Sequence, residues 1–311
     1  MTWAAVHVYY HANHDPLIRA CIGPALAGLR EAGTVDRAFF LRYWQGGPHV
    51  RVRVRARDQV TADVAADRLT AAIESFLARC PSRLPVDPEV FAEAQRRLAT
   101  LEGRDVDLRL RPDNTVTRAA YEPEYGKYGG TVGVAIAEKL FDASSRLVIG
   151  LLDEVARRPG RRLLLGLGIL ASGLREFGVA EPREFLTGYA DMWSRYAIPS
   201  VVEQWPDAMA RNHRAAEACV GAALSGRPPT AIEPWAAALR SAFRDLARAG
   251  DRVFGALSTP CQASAADACL TRLMAQYVHT TSNRLGLLPA DEAYLASLAA
   301  SVLPEPAVSS Q

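Results

Sequence analysis

Phe39-Phe40-Leu41-Arg42-Tyr43-Trp44-Gln45-Gly46-Gly47-Pro48-His49-Val50-Arg51-Val52-Arg53-Val54 is the stretch on which the fold turns. Two alternating runs flank a Gly-Gly-Pro turn, the pattern of a β-hairpin. On the second strand the period of two sends Val50, Val52 and Val54 to one face and Arg51 and Arg53 to the other. An R-x-R pair suits a solvated edge strand as well, where charge discourages association. The aromatic run before the turn, with Arg42 inside it and His49 directly after it, favours a face built to hold an anion.

Outward from this hairpin, residues 3–11 read as a strand, 16–32 as an amphipathic helix closed by Gly33, and 61–80 as a second helix. With the hairpin strands at 35–44 and 49–56 the order is β-α-β-β-α, the start of a ferredoxin-like arrangement. A strand at 115–121 would complete it. Residues 87–101 look helical, and the charged segment 102–113 reads as a loop or short strand.

From residue 131 the pattern becomes helical and stays so, with predicted helices over 131–158, 161–177, 182–197, 199–223, 231–256 and 264–288. Residues 304–311 read as a disordered tail. The fold class is therefore α+β: a mixed sheet in the N-terminal part, then a predominantly helical C-terminal part. No linker-like stretch divides the chain, so residues 1–311 are expected to form one domain.

Composition narrows the function. The 311 residues carry a net charge of only +2, which speaks against direct binding of nucleic acid. Lysine occurs at 127 and 139 alone, and the bias to arginine and alanine suggests a GC-rich bacterial genome. Cys21, Cys80, Cys219, Cys261 and Cys269 form an odd, scattered set without C-x-x-C spacing, which fits reduced thiols in the cytoplasm better than a disulfide framework or a zinc site. The N-terminus lacks the basic and apolar regions of a signal peptide, and no apolar run reaches membrane-spanning length. A homodimer is compatible with the sequence.

Two further clusters accompany the hairpin. Tyr121-Glu122-Pro123-Glu124-Tyr125-Gly126-Lys127-Tyr128-Gly129-Gly130 lies between a predicted strand and a long helix, with Glu124 and Lys127 close enough to pair. Its glycines match neither a dinucleotide nor a P-loop fingerprint. In the last predicted helix, His279 and Asn283 fall on one face with Arg284 beside them. No second histidine or carboxylate lies at i+4 from His279, so neither a metal nor any other cofactor is expected there. His11 and His14, beside Asn13 and Asp15, read as a turn before the helix at Pro16.

These motifs, F-F-L-R-Y-W…G-G-P-H-V-R-V-R-V, Y-E-P-E-x-x-K-Y-G-G and H-x-x-x-N-R-L-G, with the opening Trp3…Tyr9-Tyr10-His11, resemble the C-terminal domain of lantibiotic dehydratases, also called the thiopeptide-type bacteriocin biosynthesis domain. The resemblance implies a stand-alone lyase. In that family this domain eliminates glutamate from glutamylated Ser and Thr of a precursor peptide, leaving dehydroalanine or dehydrobutyrine. A separate glutamyl-tRNA-dependent protein would supply the glutamylated peptide. It further implies that Arg53, Glu124 and residue 127 handle the glutamate and that His279 moves the proton. Arg42, His49, Arg51, Tyr128, Asn283 and Arg284 are expected to line the substrate site.

The chain departs from the family at one of these positions. Members usually carry Arg in E-x-x-R-Y-G-G, where this sequence has Lys127, which cannot reproduce a bidentate clamp. The alternative activity on the same fold is a formal [4+2] aza-cycloaddition of two dehydroalanines that forms a pyridine and releases the leader peptide. Those enzymes have generally lost the Arg and His set that is present here. A third reading, a non-catalytic protein binding the leader peptide by strand addition, accords least with an intact His279.

Overall fold

The computed structural model describes residues 1–103, 109–259 and 266–304. Strand β1 (Thr2–Tyr9) leads into α1 (Asp15–Leu17), which runs through a π-helical stretch (Ile18–Ile22) into α2 (Gly23–Glu31). The hairpin follows as β2 (Arg37–Tyr43) and β3 (His49–Ala56), then α3 (Gln59–Arg79), α4 (Pro88–Glu102) and β4 (Thr115–Ala119). The sheet order is β2-β3-β1-β4, with every neighbouring pair antiparallel. This is the ferredoxin-like order foreshadowed by the sequence. The sheet read as mixed is antiparallel for a topological reason. The crossover from β1 to β2 makes those two strands parallel, but β3 slots between them.

Period-two alternation sets the two faces of the sheet. Val50, Val52 and Val54 of β3 lie beside Val6 and Val8 of β1, all buried on the side that α3 covers with Ala62, Ala65, Leu69 and Ile73. The opposite face carries His49, Arg51, Arg53 and Arg55, with Trp3, Ala5, His7 and Tyr9 beside them on β1 and Phe39, Leu41 and Tyr43 on β2. The hairpin tip is pinned from outside the hairpin, where the Arg111 N–H donates to the Gly46 carbonyl at 2.8 Å.

A free edge on β2 would offer a row of unpaired N–H groups. Helical side chains close it. The N–H groups of Ala38, Phe40 and Arg42 donate to Asp142 Oδ1 (3.0 Å), Ser145 Oγ (3.2 Å) and Asn283 Oδ1 (3.0 Å). The first two acceptors belong to α6 (Gly130–Arg157) and the third to α13 (Ala266–Leu285). These bonds fix both helices against the arginine-bearing half of the sheet.

The other helices are α7 (Arg161–Glu176), α8 (Pro182–Ser194), α9 (Pro199–Val202), α10 (Trp205–Leu224), α11 (Glu233–Ala249), α12 (Asp251–Phe254) and α14 (Pro289–Val302). A short helix, α5 (Tyr125–Tyr128), precedes α6. Single helices expected over 199–223 and 231–256 are each divided. Pro206 restarts the first as α10, and Gly250, at φ 51°, breaks the second. Helix α14 was not foreseen from the sequence. It is buried nearly all round, so it lacks the single apolar stripe that betrays an amphipathic helix. One hydrophobic core cluster runs from the sheet through these helices.

Cys21, Cys80 and Cys219 are free thiols, whereas Cys269 is disulfide-bonded, a departure from the expected set of reduced thiols. Widely spaced cysteines in sequence say nothing about which sulfurs the fold brings together. The predicted tail after residue 304, Cys261, and residues 104–108 of the expected loop at 102–113 lie outside the described residues. No helix among the described residues is long and apolar enough to cross a membrane.

Candidate active site

Arg53 projects from the middle of β3 between two aromatic rings, its guanidinium carbon 4.8 Å from the centroid of Tyr121 and 5.3 Å from that of Phe39. Arg284, fully buried at the end of α13, approaches the same Phe39 ring at 5.9 Å and Phe141 at 4.7 Å. Aromatic faces are favourable neighbours for a cation that has left water. They do not replace a counter-ion. Among the described residues neither arginine has a carboxylate within ion-pair distance, and Arg53 Nε and Arg284 Nη2 are buried without a hydrogen-bond partner. Arg284 gives its other donors to Ser145 Oγ (3.1 Å) and the Thr280 carbonyl (2.8 Å).

Burial lowers the pKa of Arg53, and it pushes Arg284 down to about 9, with Tyr128 acting upwards and Arg53 downwards. Both therefore stay cationic at neutral pH. Tyr128 completes the group. It stacks on Tyr277 with centroids 6.0 Å apart and meets Phe141 edge-on at 5.3 Å. Its hydroxyl is held far above its ordinary pKa by burial, reinforced by Glu124.

The turn from α5 into α6 delivers these residues. Gly129 and Gly130 take positive φ angles of 86° and 70°, a pair that only glycine adopts readily, and so reverse the chain directly after Tyr128. Glu124 and Lys127 pair across α5 at 3.7 Å, as the sequence suggested, with Lys127 Nζ 5.5 Å from the Tyr128 ring. Both side chains reach solvent, Lys127 being 34% exposed and Glu124 61%.

Further along the same sheet face, Arg51 lies 3.5 Å over the Tyr43 ring and donates from Nε to His49 Nε2 at 3.1 Å. His49 Nδ1 donates to the Gly47 carbonyl at 2.8 Å, so this imidazole is neutral with Nε2 as acceptor. Burial, with Arg51 contributing, lowers its pKa to about 4. Neighbouring His7 falls to about 3 for the same two reasons.

Arg42 and Asn283 stand apart from this group. Asn283 Oδ1 accepts from the Arg42 N–H and its Nδ2 donates to the Arg42 carbonyl, both at 3.0 Å. The Arg42 guanidinium donates to Asp15 Oδ1 (2.7 Å) and the Arg284 carbonyl (3.0 Å). Arg162 holds the other Asp15 oxygen and the Leu285 carbonyl. These two arginines thus cap the C-terminal end of α13.

His279 is placed differently again. Its Nδ1 lies 2.8 Å from Glu292 Oε1, and its ring stacks on Trp193 at 4.3 Å and 19°. Although His279 and Asn283 are one turn apart, the first meets α8 and α14 while the second meets β2. The structure therefore brings Arg53 and Arg284 to Phe39, with Tyr128 reached through Phe141 and the Glu124–Lys127 pair beside Tyr128, and with Arg51 and His49 further along the sheet face. His279 keeps separate company. Sequence reading missed Tyr121, Phe39, Tyr189 and Glu292 as members of these groups. Phe39 and Tyr121 lay inside the quoted motifs without a role assigned to them, and Glu292 lay in the Pro289-Ala290-Asp291-Glu292 signature of a helix start.

Among the described residues there is no group of three His, Cys, Asp or Glu able to hold a metal ion. His11 Nδ1 faces Asp113 at 3.9 Å, and His14 Nε2 meets the Tyr10 carbonyl at 2.9 Å.

The chain belongs to the lantibiotic biosynthesis dehydratase C-terminal family, whose model matches residues 3–303. That membership makes it a RiPP biosynthesis protein with an enzyme's role. Among solved structures it is similar to the pyridine synthase TbtD from thiomuracin biosynthesis, with 25% identity, a TM-score of 0.79, and 97% of each chain covered. TsrL shares its fold at 18% identity and a TM-score of 0.66, over 97% of this chain and 94% of that one. The tRNA-dependent lantibiotic dehydratase MibB from Microbispora sp. 107891 does so at 22% identity and 0.57, with 97% of this chain matching 28% of MibB. No curated protein sequence matches the chain.

Proposed function

We propose that this protein eliminates glutamate from glutamylated Ser and Thr side chains of a precursor peptide, leaving dehydroalanine or dehydrobutyrine. The observation that carries the reading is the Arg53–Arg284 pair, one partly and one fully buried cation, neither with a carboxylate within ion-pair distance among the described residues. Such a pair is incomplete until an anion arrives, and a glutamyl group brings carboxylates that guanidinium forks bind well. In the reaction the Cα proton is removed, its electron pair forms the Cα=Cβ bond, and the Cβ–O bond breaks as glutamate departs. Positive charge placed where the leaving carboxylate develops lowers that barrier. Lys127, one-third exposed and paired with Glu124, acts as a further carboxylate anchor. Proton movement is assigned to His279, which shares α13 with Arg284 but faces α8 and α14 rather than the Arg53 group, so the peptide would have to reach both; its Nε2 has no hydrogen-bond partner among the described residues. Glutamylation itself belongs to a glutamyl-tRNA-dependent activity outside this region, since the chain corresponds to 28% of MibB.

Incubation with a synthetic glutamylated peptide tests this. Free glutamate should appear, with a product lighter by one water than the unmodified peptide. His279→Ala should slow that release by about 10²–10⁴-fold while the protein stays folded. One observation favours the second reading, pyridine formation from two dehydroalanines: the likeness to a pyridine synthase over 97% of both chains. Conversion of a didehydroalanine peptide to a pyridine macrocycle, with the glutamylated peptide left unchanged, would select it.

A further inference from the structure

His279 is held from two helices at once. Glu292 sits in the first turn of α14 with its carboxylate buried, only 2% exposed. Tyr189 of α8 donates its hydroxyl to Glu292 Oε2 at 2.6 Å. On the other oxygen, His279 Nδ1 approaches Oε1 at 2.8 Å. A carboxylate has no proton to give, so Nδ1 must be the donor, and in a neutral imidazole Nε2 is then a bare lone pair.

The ring plane is fixed as well. Trp193, one turn beyond Tyr189 on α8, stacks on the imidazole at 4.3 Å. With its plane and its Nδ1 direction both set, the ring cannot flip without breaking a buried contact. The ring thus meets Trp193 from α8 and Glu292 from α14, with Tyr189 of α8 on the far oxygen of Glu292. The Tyr189–Glu292 bond alone already ties these two helices together. A histidine added to that tie and left 24% exposed contributes a directed nitrogen rather than further anchorage.

We propose that Glu292, steadied by Tyr189, is a positioning residue that fixes His279 in the Nδ1-protonated tautomer and leaves Nε2 as the proton acceptor. The proposal rests on His279 being the group that moves the proton in the elimination. When Nε2 takes the Cα proton, the electron pair left on carbon becomes the Cα=Cβ bond and the Cβ–O electrons leave with glutamate. The resulting imidazolium keeps its Nδ1–H on the Glu292 carboxylate, whose negative charge faces the new positive one.

Nitrogen NMR of the full chain labelled at its six histidines reads the tautomer without any turnover. The His279 signals, identified by their loss in His279→Ala, should show a protonated Nδ1 and an unprotonated Nε2 in the neutral form of the ring, reached by raising the pH until the imidazole has lost its second proton. The reverse pattern overturns the proposal. Kinetically, Glu292→Gln should lower kcat for glutamate release by about tenfold or more, by analogy with other oriented His–carboxylate pairs, and leave KM within about twofold. Tyr189→Phe should lower kcat less, in the same direction, and it stands in if Glu292→Gln fails to fold. If His279→Ala is fully active, the catalytic reading itself falls. If His279→Ala is inactive and Glu292→Gln keeps the wild-type kcat, only the role of Glu292 falls.

Discussion

Two pairs of arginines, each joining the hairpin to a distant helix, have opposite electrostatic settings. Arg42 and Arg162 share the carboxylate of Asp15 and cap the carbonyls at the end of α13. Arg53 and Arg284 share a phenylalanine ring and, among the described residues, have no carboxylate within ion-pair distance, Glu124 acting on Arg53 only from further off. The first pair is complete as it stands, whereas the second holds charge that no direct ion pair among the described residues compensates. Folding has no use for such charge, because a buried cation without a partner opposes stability. The unpaired set therefore marks where the protein is committed to something other than its own fold.

Removing Asp15 should give the largest effect. Asp15→Ala leaves Arg42 and Arg162 without their shared partner and should lower unfolding free energy by about 3 kcal/mol, measured by urea titration. The two guanidiniums hold the Asp15 carboxyl below its usual pKa against the opposing effect of burial, which agrees with a pair that stabilises the native state. A variant as stable as the wild type would show that the two settings are energetically alike.

Acid comes next. Burial, with Arg42 adding, lowers His14 to about 4, and His49 also lies at about 4, while an unfolded histidine titrates near 6.5. Between those values the unfolded chain binds more protons than the native one, so stability must rise with pH across this window. Above about pH 6.5 the contribution is fully present, and it is lost as pH falls towards 4. For His14 it is on the order of 3 kcal/mol. A thermal midpoint that stayed flat from pH 7 to pH 4.5 would contradict these settings. Protonating His49 also removes the acceptor of Arg51, so glutamate release should fail over the same range.

Arg53→Met tests the unpaired set directly. Replacing a buried, uncompensated cation by an apolar chain of similar length should leave stability unchanged or raise it by about 1 kcal/mol. Turnover should drop by about 10²-fold or more, because the developing carboxylate loses a preorganised donor. Joint loss of stability and activity would mean that Arg53 supports the fold after all.

The contrast between the two arginine pairs was only partly legible in the sequence. Strand alternation put Arg51 and Arg53 on one face, and the E-x-x-K spacing put Glu124 beside Lys127, because both follow from local geometry. Whether an arginine meets a carboxylate depends on contacts more than 100 residues apart, such as Arg162 with Asp15, and no period records these. Arg42 lies in the same motif as Arg53, yet one residue of pleat turns its guanidinium to the helices. The helical spacing of His279 and Asn283 was likewise visible, but helix α14 was not, since a helix buried on every side shows no stripe.

The smallest effect is expected at Lys127, and it discriminates most finely. Its pair with Glu124 is solvent-exposed and 3.7 Å long, worth about 0–1 kcal/mol, so Lys127→Arg should leave stability within about 0.5 kcal/mol. Activity then reports the residue's role alone. If Lys127 anchors a carboxylate, the arginine variant should release glutamate at least as fast, since the guanidinium fork holds a carboxylate by two hydrogen bonds. If Lys127 takes the proton, arginine cannot replace it, because guanidinium does not give up its proton in this pH range. A lysine that serves as a base is ordinarily buried, whereas this one is one-third exposed and paired with a carboxylate. We therefore expect retained or increased release by Lys127→Arg. Its collapse, with peptide binding intact, would move the base from His279 to Lys127 and into the same group as Arg53 and Arg284.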